Sequence, residues 1–167
     1  NLWEPGMDSV LAFAGFFFWW VSDLGLFTKV HSGVERVLGY KPDELIGQTQ
    51  FADLPDQEER DGLGEMEDFF LKAESFQQLV FKYRRADGQF VWLSLSGEPI
   101  YTEGLFLGFR GVAIDVTAHV EAQNRLTETA AMFRAFFDSE PDAIVLMGEK
   151  RFVDCNPAAV DLFGCLD

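Results

Sequence analysis

The chain has 167 residues, of which 48% are apolar and 15% aromatic, so it can form one domain with a substantial core and an appended segment. Its formal net charge of -15 disfavours contact with nucleic acid and with anionic membrane surfaces. The longest apolar run, residues 10–21, is too short to span a bilayer. Cys155 and Cys165 lack CxxC spacing, which argues against a zinc site or a disulfide framework and favours a reducing cytoplasm.

The N-terminal part predicts a helical lead-in followed by a hairpin. Residues 5–14 are typical of a short helix that stops at a glycine. Residues 16–22 form an aromatic-rich strand, and residues 26–31 return as a second strand after the turn at 23–25.

Short helices are predicted next. Residues 32–39 and 42–47 each end on a glycine, and the second begins with a proline. Between residues 56 and 74, apolar residues at helical spacing stand among many acids, which predicts an amphipathic helix with an acidic outer face. These acids lack the spacing of an EF-hand, so no metal site is expected.

Three strands with a period of two follow. Residues 76–85, 90–97 and 105–114 are separated by turn signals at 87–88 and 102–104, which predicts an antiparallel meander. The middle strand, which reaches Pro99 and Ile100, carries apolar residues on both faces, so both faces of the sheet need a cover. Short helices can cover one face, while the other needs the N-terminal helix or a second subunit.

A long helix is predicted after the meander. Asp115 is suited to cap its start, and residues 116–137 contain neither proline nor glycine. One side of this helix carries a seam of residues at alternating spacings of four and three: Ala122, Leu126, Thr129, Phe133 and Phe136. This seam spans about two heptads, so a helix that packs on its own domain stays as the alternative to a dimer helix.

Two stretches carry a family resemblance. The first stretch is Val37-Leu38-Gly39-Tyr40 followed by Pro42-Asp43-Glu44-Leu45-Ile46-Gly47, and it resembles the short helical region of PAS domains. The second stretch resembles the C-terminal half of PAS domains. It comprises Asp87-Gly88, Trp92-Leu93, Ser96-Gly97-Glu98-Pro99, Gly108-Phe109-Arg110-Gly111 and Asp115-Val116-Thr117. The resemblance implies an α+β fold: a five-stranded antiparallel sheet with short helices on one face, followed by a long C-terminal helix.

The pattern begins again near residue 138. Residues 141–145 resemble the first strand of a PAS domain. Residues 152–164 resemble its second strand and first helix, so the pattern is an internal repeat. The predicted domains are a helical lead-in at 1–15, a PAS domain at 16–117, a linker helix at 118–137 and the start of a second, truncated PAS domain at 138–167. That start is too short to bury its own apolar face, so it should pack on the first domain, on a partner chain or by exchange.

The residues limit which cofactors a PAS domain could hold here. Residues 16–117 contain no cysteine, which excludes a cysteinyl-flavin photocycle there. Haem is disfavoured because His31 and His119 lie outside the elements that supply an axial ligand in the family. A non-covalent flavin stays open, since Trp92 and the phenylalanine-rich interior could stack on it. We favour the interpretation in which these aromatic rings only form the core. The leading expectation is therefore that the domain binds no cofactor.

The expected ligand pocket lies between the inner sheet face and the short helices. Alternation predicts its lining as Trp20, Leu38, Phe70, Phe81, Trp92 and Phe109. A one-residue slip in register would exchange this set for its neighbours.

The resemblance also implies two structural roles. Glu44 should form an ion pair with a basic residue on the first meander strand, with Lys82 favoured over Arg84 and Arg85. Asp115 and Thr117 should relay a signal from the sheet to the exit helix, and plain capping stays as their alternative role.

We therefore expect a non-catalytic, cytoplasmic input module of a bacterial signalling protein, foremost a sensor histidine kinase. The start at Asn1 predicts a piece of a longer protein. The module would bind a small ligand or a partner, form a homodimer and act through its exit helix on a downstream output domain in the same chain. The alternatives are an input domain of a GGDEF/EAL cyclic-di-GMP enzyme, a ligand-free dimerisation module and an acidic calcium-dependent module.

Catalytic motifs do not occur in the chain. It contains no glycine-rich phosphate loop, GxSxG or HExxH, and no predicted domain pairs a cysteine with a histidine. His119 lacks the surrounding motif of a phospho-accepting histidine.

Overall fold

The computed structural model describes residues 15–49, 53–54, 63–149 and 151–164, without the side chains of 63–67. It divides into two compact units, Asn1–Ala118 and His119–Asp167, and each is described by itself. The helix predicted over residues 5–14 lies outside the described residues, as does the start of the acidic helix predicted from residue 56.

The first unit confirms the predicted fold class. It consists of a five-stranded antiparallel sheet with strand order β2-β1-β5-β4-β3, together with short helices. Its elements are β1 (Phe16–Ser22), β2 (Phe27–Val30), α1 (Gly33–Leu38), α2 (Pro42–Leu45), α3 (Leu63–Lys72), β3 (Phe76–Arg84), β4 (Phe90–Thr102) and β5 (Leu105–Asp115).

The register of β1 determines which face of the sheet is buried. Phe17, Trp19 and Val21 are buried and face Ala113, Gly111 and Phe109 of β5. Because successive side chains of a strand point to opposite faces, the intervening residues of β1 lie on the other face. The core therefore sits between this inner face and the short helices, and it includes Leu38 and Leu45 from those helices.

Two glycines make room for the largest core side chain. Gly97 of β4 and Gly111 of β5 form a cross-strand pair. A Cβ added at Gly111 would lie 2.5 Å from Cζ2 of Trp19 and 2.0 Å from the backbone oxygen of Ser96. The indole ring can thus lie close to the sheet only because both positions lack a side chain.

Cap residues determine where the short helices begin and end. Helix α1 ends at Gly39, whose φ of 80° is left-handed and whose N–H donates to the Glu35 carbonyl at 2.9 Å. Helix α2 begins with Pro42, and the Glu44 carboxylate accepts from the Lys41 N–H at 2.7 Å.

Two element boundaries differ from the sequence-based expectation. Strand β4 continues to Thr102, because it pairs with β5 as far as Leu105, directly beside the turn. That turn has left-handed backbone at Glu103 (φ 51°) and Gly104 (φ 82°). The exit helix, α4, spans Thr117–Ser139 and so runs two residues beyond its predicted end.

The second unit contains most of α4 and a small hairpin with one helix. Strands β6 (Val145–Gly148) and β7 (Arg151–Cys155) pair antiparallel, and α5 (Pro157–Phe163) follows. Phe137 near the end of α4 is buried, and the Arg134 guanidinium lies 2.8 Å from the Asp154 carboxylate. No helix in the described ranges has the length and apolar character needed to cross a membrane.

A buried amide organises this hairpin. The Asn156 side-chain oxygen accepts from the N–H groups of Ile144 and Ala159, at 2.8 and 3.0 Å. Its amide nitrogen donates to the carbonyls of Asp142 and Glu140, at 2.9 and 3.3 Å. All four hydrogen-bonding positions of the side chain are therefore satisfied, as buried polar groups require.

Candidate functional site

The point where the sheet passes into the exit helix is held by a compact set of hydrogen bonds. The Asp115 carboxylate accepts from the Thr117 N–H, and the Thr117 hydroxyl oxygen accepts from the Trp92 N–H, both at 2.9 Å. The Val116 N–H donates to the Trp92 carbonyl, also at 2.9 Å. Both backbone polar groups of Trp92 on β4 are thus bonded to Val116, which lies between β5 and α4, and to Thr117, the first residue of α4.

These bonds determine what the junction can do. Asp115 belongs to β5 and places its carboxylate against the first N–H of the helix, where a negative charge is favourable. Thr117 belongs to the helix but bonds to the central strand β4. The helix start therefore cannot shift along its axis without breaking a hydrogen bond to the sheet. Asp115 and Thr117 lie at the junction as the sequence predicts, and their role as a signal relay stays a prediction. The sequence analysis missed the bonds to the backbone of Trp92, because a backbone contact has no side-chain signal.

A second contact joins the β3–β4 hairpin to helix α1. Nη1 of Arg85 donates to the Val37 carbonyl and the Ala86 N–H donates to the Leu38 carbonyl, both at 2.9 Å. Nε of Arg85 lies 3.5 Å from the Asp87 carboxylate. The last carbonyls of α1 are thus bound by the hairpin that leads into β4.

The predicted ion pair between Glu44 and Lys82 does not form. Glu44 caps its own helix through the Lys41 N–H, and the Lys82 ammonium lies 4.3 Å from the centre of the Phe90 ring. Of the basic candidates on or after β3, Arg85 contacts helix α1 through the Val37 carbonyl. The physical reason is the register of β3: Lys82 pairs with Trp92 on the outer face.

The six predicted pocket residues lie on opposite sides of the sheet, so as a set they do not line one cavity. Leu38, Phe81 and Phe109 are buried, and Phe70 packs on Phe109 with ring centres 4.4 Å apart. Trp20 and Trp92 point to the outer face. Both β1 and β4 are apolar on both faces, so alternation could not decide which set is buried.

The buried alternatives are Trp19 on β1 and Val91, Leu93 and Leu95 on β4. Trp20 lies against Lys29, whose ammonium is 4.8 Å from its ring centre. Trp19, one residue earlier, takes the interior position that Trp20 was expected to hold.

A cluster of aromatic rings occupies the inner face. Trp19 stacks on Phe76 with ring centres 6.2 Å apart, and Phe76 lies 5.9 Å from Phe109. Phe106 meets Phe109 edge to face at 5.5 Å. Burial raises the pKa of the nearby Tyr83 phenol above its ordinary range, so this side chain is neutral at physiological pH. The described part of the interior therefore offers apolar and stacking contacts rather than charge.

The outer face carries a shallow groove of about 520 Å³. Phe18, Trp20 and Val112 contribute its apolar wall. Arg110 and Glu98 cross it as an ion pair at 2.7 Å, and both side chains are largely exposed, so the pair adds little stability. No cluster of three or more metal-ligating side chains occurs in the described ranges.

The predicted seam of the exit helix is exposed along its length. Exposed residues of α4 include all five members of the seam, Ala122, Leu126, Thr129, Phe133 and Phe136. The buried aromatic residue of this helix is Phe137 instead, and its ring stacks on Phe133 at 5.6 Å.

Comparison with known proteins agrees with this architecture. A family model described as the PAS fold matches residues 27–113, just over half of the chain, and one described as a PAS domain matches residues 131–167. No curated protein sequence matches the chain.

Among solved structures, the fold resembles the sensory box histidine kinase/response regulator from Burkholderia thailandensis E264. The TM-score is 0.61 at 16% sequence identity, over 77% of this chain and 98% of that chain. At this identity the likeness concerns the fold alone. The family match, the five-stranded sheet and the helix that leaves it together place this chain in the PAS family of sensory domains.

Proposed function

We propose that the chain is an input module of a bacterial signalling protein, foremost a sensor histidine kinase, in which the first unit acts on the exit helix α4. The hydrogen bonds at the junction carry this proposal. Because Thr117 and Val116 are both bonded to Trp92, a movement of β4 relative to β5 changes the hydrogen-bonding geometry of the first turn of α4. The name of the Burkholderia relative, a sensory box histidine kinase, supports the kinase as the output.

The input is proposed to be a small apolar ligand or a partner that alters the packing of the inner aromatic cluster. Phe76 and Phe109 lie on β3 and β5, the two neighbours of β4. A change in how these rings pack would therefore reach the strand that holds the helix start. Such a stimulus works only if it binds one of two poses better than the other. A non-covalent flavin is the alternative input, and an absorption spectrum of the purified protein separates the two.

The exit helix is proposed to pair with the same helix of a second copy. Support comes from the exposure of the apolar seam, which leaves Leu126, Phe133 and Phe136 in water in a single chain. Apolar residues at spacings of four and three are the pattern by which two helices pack side by side. The module would then be cytoplasmic and homodimeric, with an output domain in the same polypeptide.

Sedimentation analysis of paired variants tests the dimer. Leu126 and Met132 are both 73% exposed, but only Leu126 belongs to the seam. We expect Leu126→Ser to weaken dimerisation by about tenfold or more, since a buried leucine contributes about 1.5–3 kcal/mol, and Met132→Ser to leave it unchanged. Equal effects of the two substitutions would argue against the seam.

Insertions in the exit helix test the relay. One to four residues are inserted after Arg125 in the full-length protein, and its output, kinase activity or cyclic-di-GMP turnover, is measured. Each added residue rotates the downstream part of the helix by about 100°, so we expect output to change with the number inserted. Insertions at the exposed turn of Gly104 serve as controls and should leave output unchanged. Constant output across all four helix insertions would refute the relay.

A further inference from the structure

The outer face of the five-stranded sheet is apolar along its centre. Strands β1 and β5 contribute two neighbouring rows of partly exposed side chains there, Phe16 with Ile114 and Phe18 with Val112. The rings of Phe16 and Phe18 meet edge to face, with their centres 5.5 Å apart, and Ile114 is 44% exposed. These four residues are here called the apolar stripe. A continuous apolar surface of this kind is typical of a face that another element or protein covers.

Basic side chains lie at both ends of the apolar stripe. At one end, Lys29 of β2 and Arg110 of β5 lie in the same cross-strand row. At the other end, Lys82 and Arg84 of β3 alternate with buried residues and so point to this face. Against these four bases, the outer face of the described strands carries one acid, Glu98 of β4. The face is therefore basic, although the whole chain has a net charge of -15.

The two lysines are positioned by aromatic rings. The Lys29 ammonium lies 4.8 Å from the centre of the Trp20 ring, and the Lys82 ammonium lies 4.3 Å from the centre of the Phe90 ring. An ammonium group has three donors, so a carboxylate can bind to it while it lies over a ring. The basic ends are thus preorganised for an acidic partner, which reduces the entropy lost on binding.

The spacing of the basic ends fits an α-helix. Strands β2 and β3 are the two outermost strands of the sheet, so Lys29 and Lys82 lie about 19 Å apart across it. The row of Lys29 reaches Glu98 on β4, and the row of Lys82 reaches Trp92 on the same strand. This separates the two lysines by about 20 Å along the strands as well. A helix of about 18 residues, about 27 Å long, spans this diagonal over the apolar stripe.

We propose that the outer face of the sheet binds an acidic amphipathic helix of a partner protein. The apolar side of that helix packs on the apolar stripe, and a large apolar side chain enters the groove lined by Phe18, Trp20 and Val112. Carboxylates near its two ends pair with Lys29 and Lys82. Apolar contact supplies most of the affinity, while the charges select the partner and its orientation. This surface uses neither the inner aromatic cluster nor the seam of α4, so the proposal goes beyond the proposed function.

The two covers that the sequence predicts for a sheet face fit less well. A symmetric pair of copies would bring four bases and one acid from each copy into one interface, which is electrostatically unfavourable. Residues 1–14 contain two acids, Glu4 and Asp8. Helical residues four apart lie within about 6 Å of each other, so these acids could meet only one of the two basic ends.

Two synthetic helical peptides of about 18 residues test the proposal. Both have leucine along one side, and the flanking positions are glutamate in one peptide and lysine in the other. Each is titrated into residues 1–167, and the amide resonances of β1 and β5 are followed by nuclear magnetic resonance. We expect the glutamate peptide to bind about tenfold or more tightly than the lysine peptide, and to shift the resonances of Phe18 and Val112.

Matched charge reversals locate the binding surface. Lys29→Glu combined with Lys82→Glu should weaken binding of the glutamate peptide about tenfold or more. Lys41→Glu combined with Lys72→Glu makes the same change of net charge at exposed lysines outside the sheet and should leave binding unchanged. Circular dichroism shows whether each variant is folded, and the comparison of the two peptides needs no substitution.

Four results would overturn the proposal. The first two are equal affinity for the two peptides and equal effects of the two double substitutions. The third is a concentration-dependent dimer of residues 1–167 that Val112→Asp abolishes, because a second copy would then cover the face. The fourth is a gain of about tenfold in peptide affinity when residues 1–14 are removed, because that segment would then be the occupant. Binding is measured rather than signalling output, so failure here is distinct from failure of the insertions in the exit helix.

Discussion

Replacement of Trp19 by alanine is expected to lower the free energy of unfolding of the first unit by about 3–5 kcal/mol. The indole is fully buried, stacks on Phe76 and lies over the Gly97–Gly111 pair. No neighbouring side chain at the two glycine positions can move in to fill the space. Replacement of Trp20 should cost only about 1 kcal/mol, mostly from its contact with Lys29 on the outer face.

Urea denaturation followed by far-ultraviolet circular dichroism measures both variants. The two residues are adjacent and chemically identical, so the comparison isolates the side of the sheet on which each lies. A larger loss for Trp20 than for Trp19 would mean that the register of β1 is shifted by one residue. The inner aromatic cluster would then need a different composition.

Replacement of Thr117 by valine is expected to lower the free energy of unfolding by about 1–3 kcal/mol. Valine has nearly the same shape but no hydroxyl, so the partly buried Trp92 N–H loses its acceptor. Replacement by serine keeps the hydroxyl and should cost less than about 0.5 kcal/mol. The loss also removes the only side-chain bond between α4 and β4 in the described residues of this junction.

Amide exchange resolved by nuclear magnetic resonance gives the more specific measurement. We expect the Trp92 amide and the amides of the first turn of α4 to exchange faster in Thr117→Val and at the original rate in Thr117→Ser. In the full-length protein, the valine variant should also respond more weakly to the stimulus. If the valine and serine variants exchange alike, the hydroxyl does not connect the helix to the sheet.

Much of the fold could be predicted because it is encoded locally. Glycine at the end of α1, Pro42 at the start of α2 and the turns after β3 and β4 act within a few residues. The position of Asp115 and Thr117 at the start of α4 could be predicted for the same reason, since a cap residue lies next to the helix it caps.

The assignment of side chains to pocket and ion pair failed for the opposite reason. Trp20 and Trp92 belong to strands with apolar residues on both faces, so a shift of one residue leaves the pattern equally good. The bond from Arg85 to the Val37 carbonyl joins residues far apart in the chain and depends on where the hairpin lies over α1.

The sequence by itself determined the family, the order of the elements and the repeated hairpin, because these depend on local propensity and on motifs of a few residues. Only the tertiary structure decided which tryptophan faces the core, which basic residue reaches the helices and that Trp92 holds the exit helix through its backbone. Each of these depends on strand register and on hydrogen bonds between distant segments. Burial also distinguished two hairpins of nearly the same pattern, since Val21 and Phe27 are buried in the first unit whereas Met147 and Phe152 are exposed in the second.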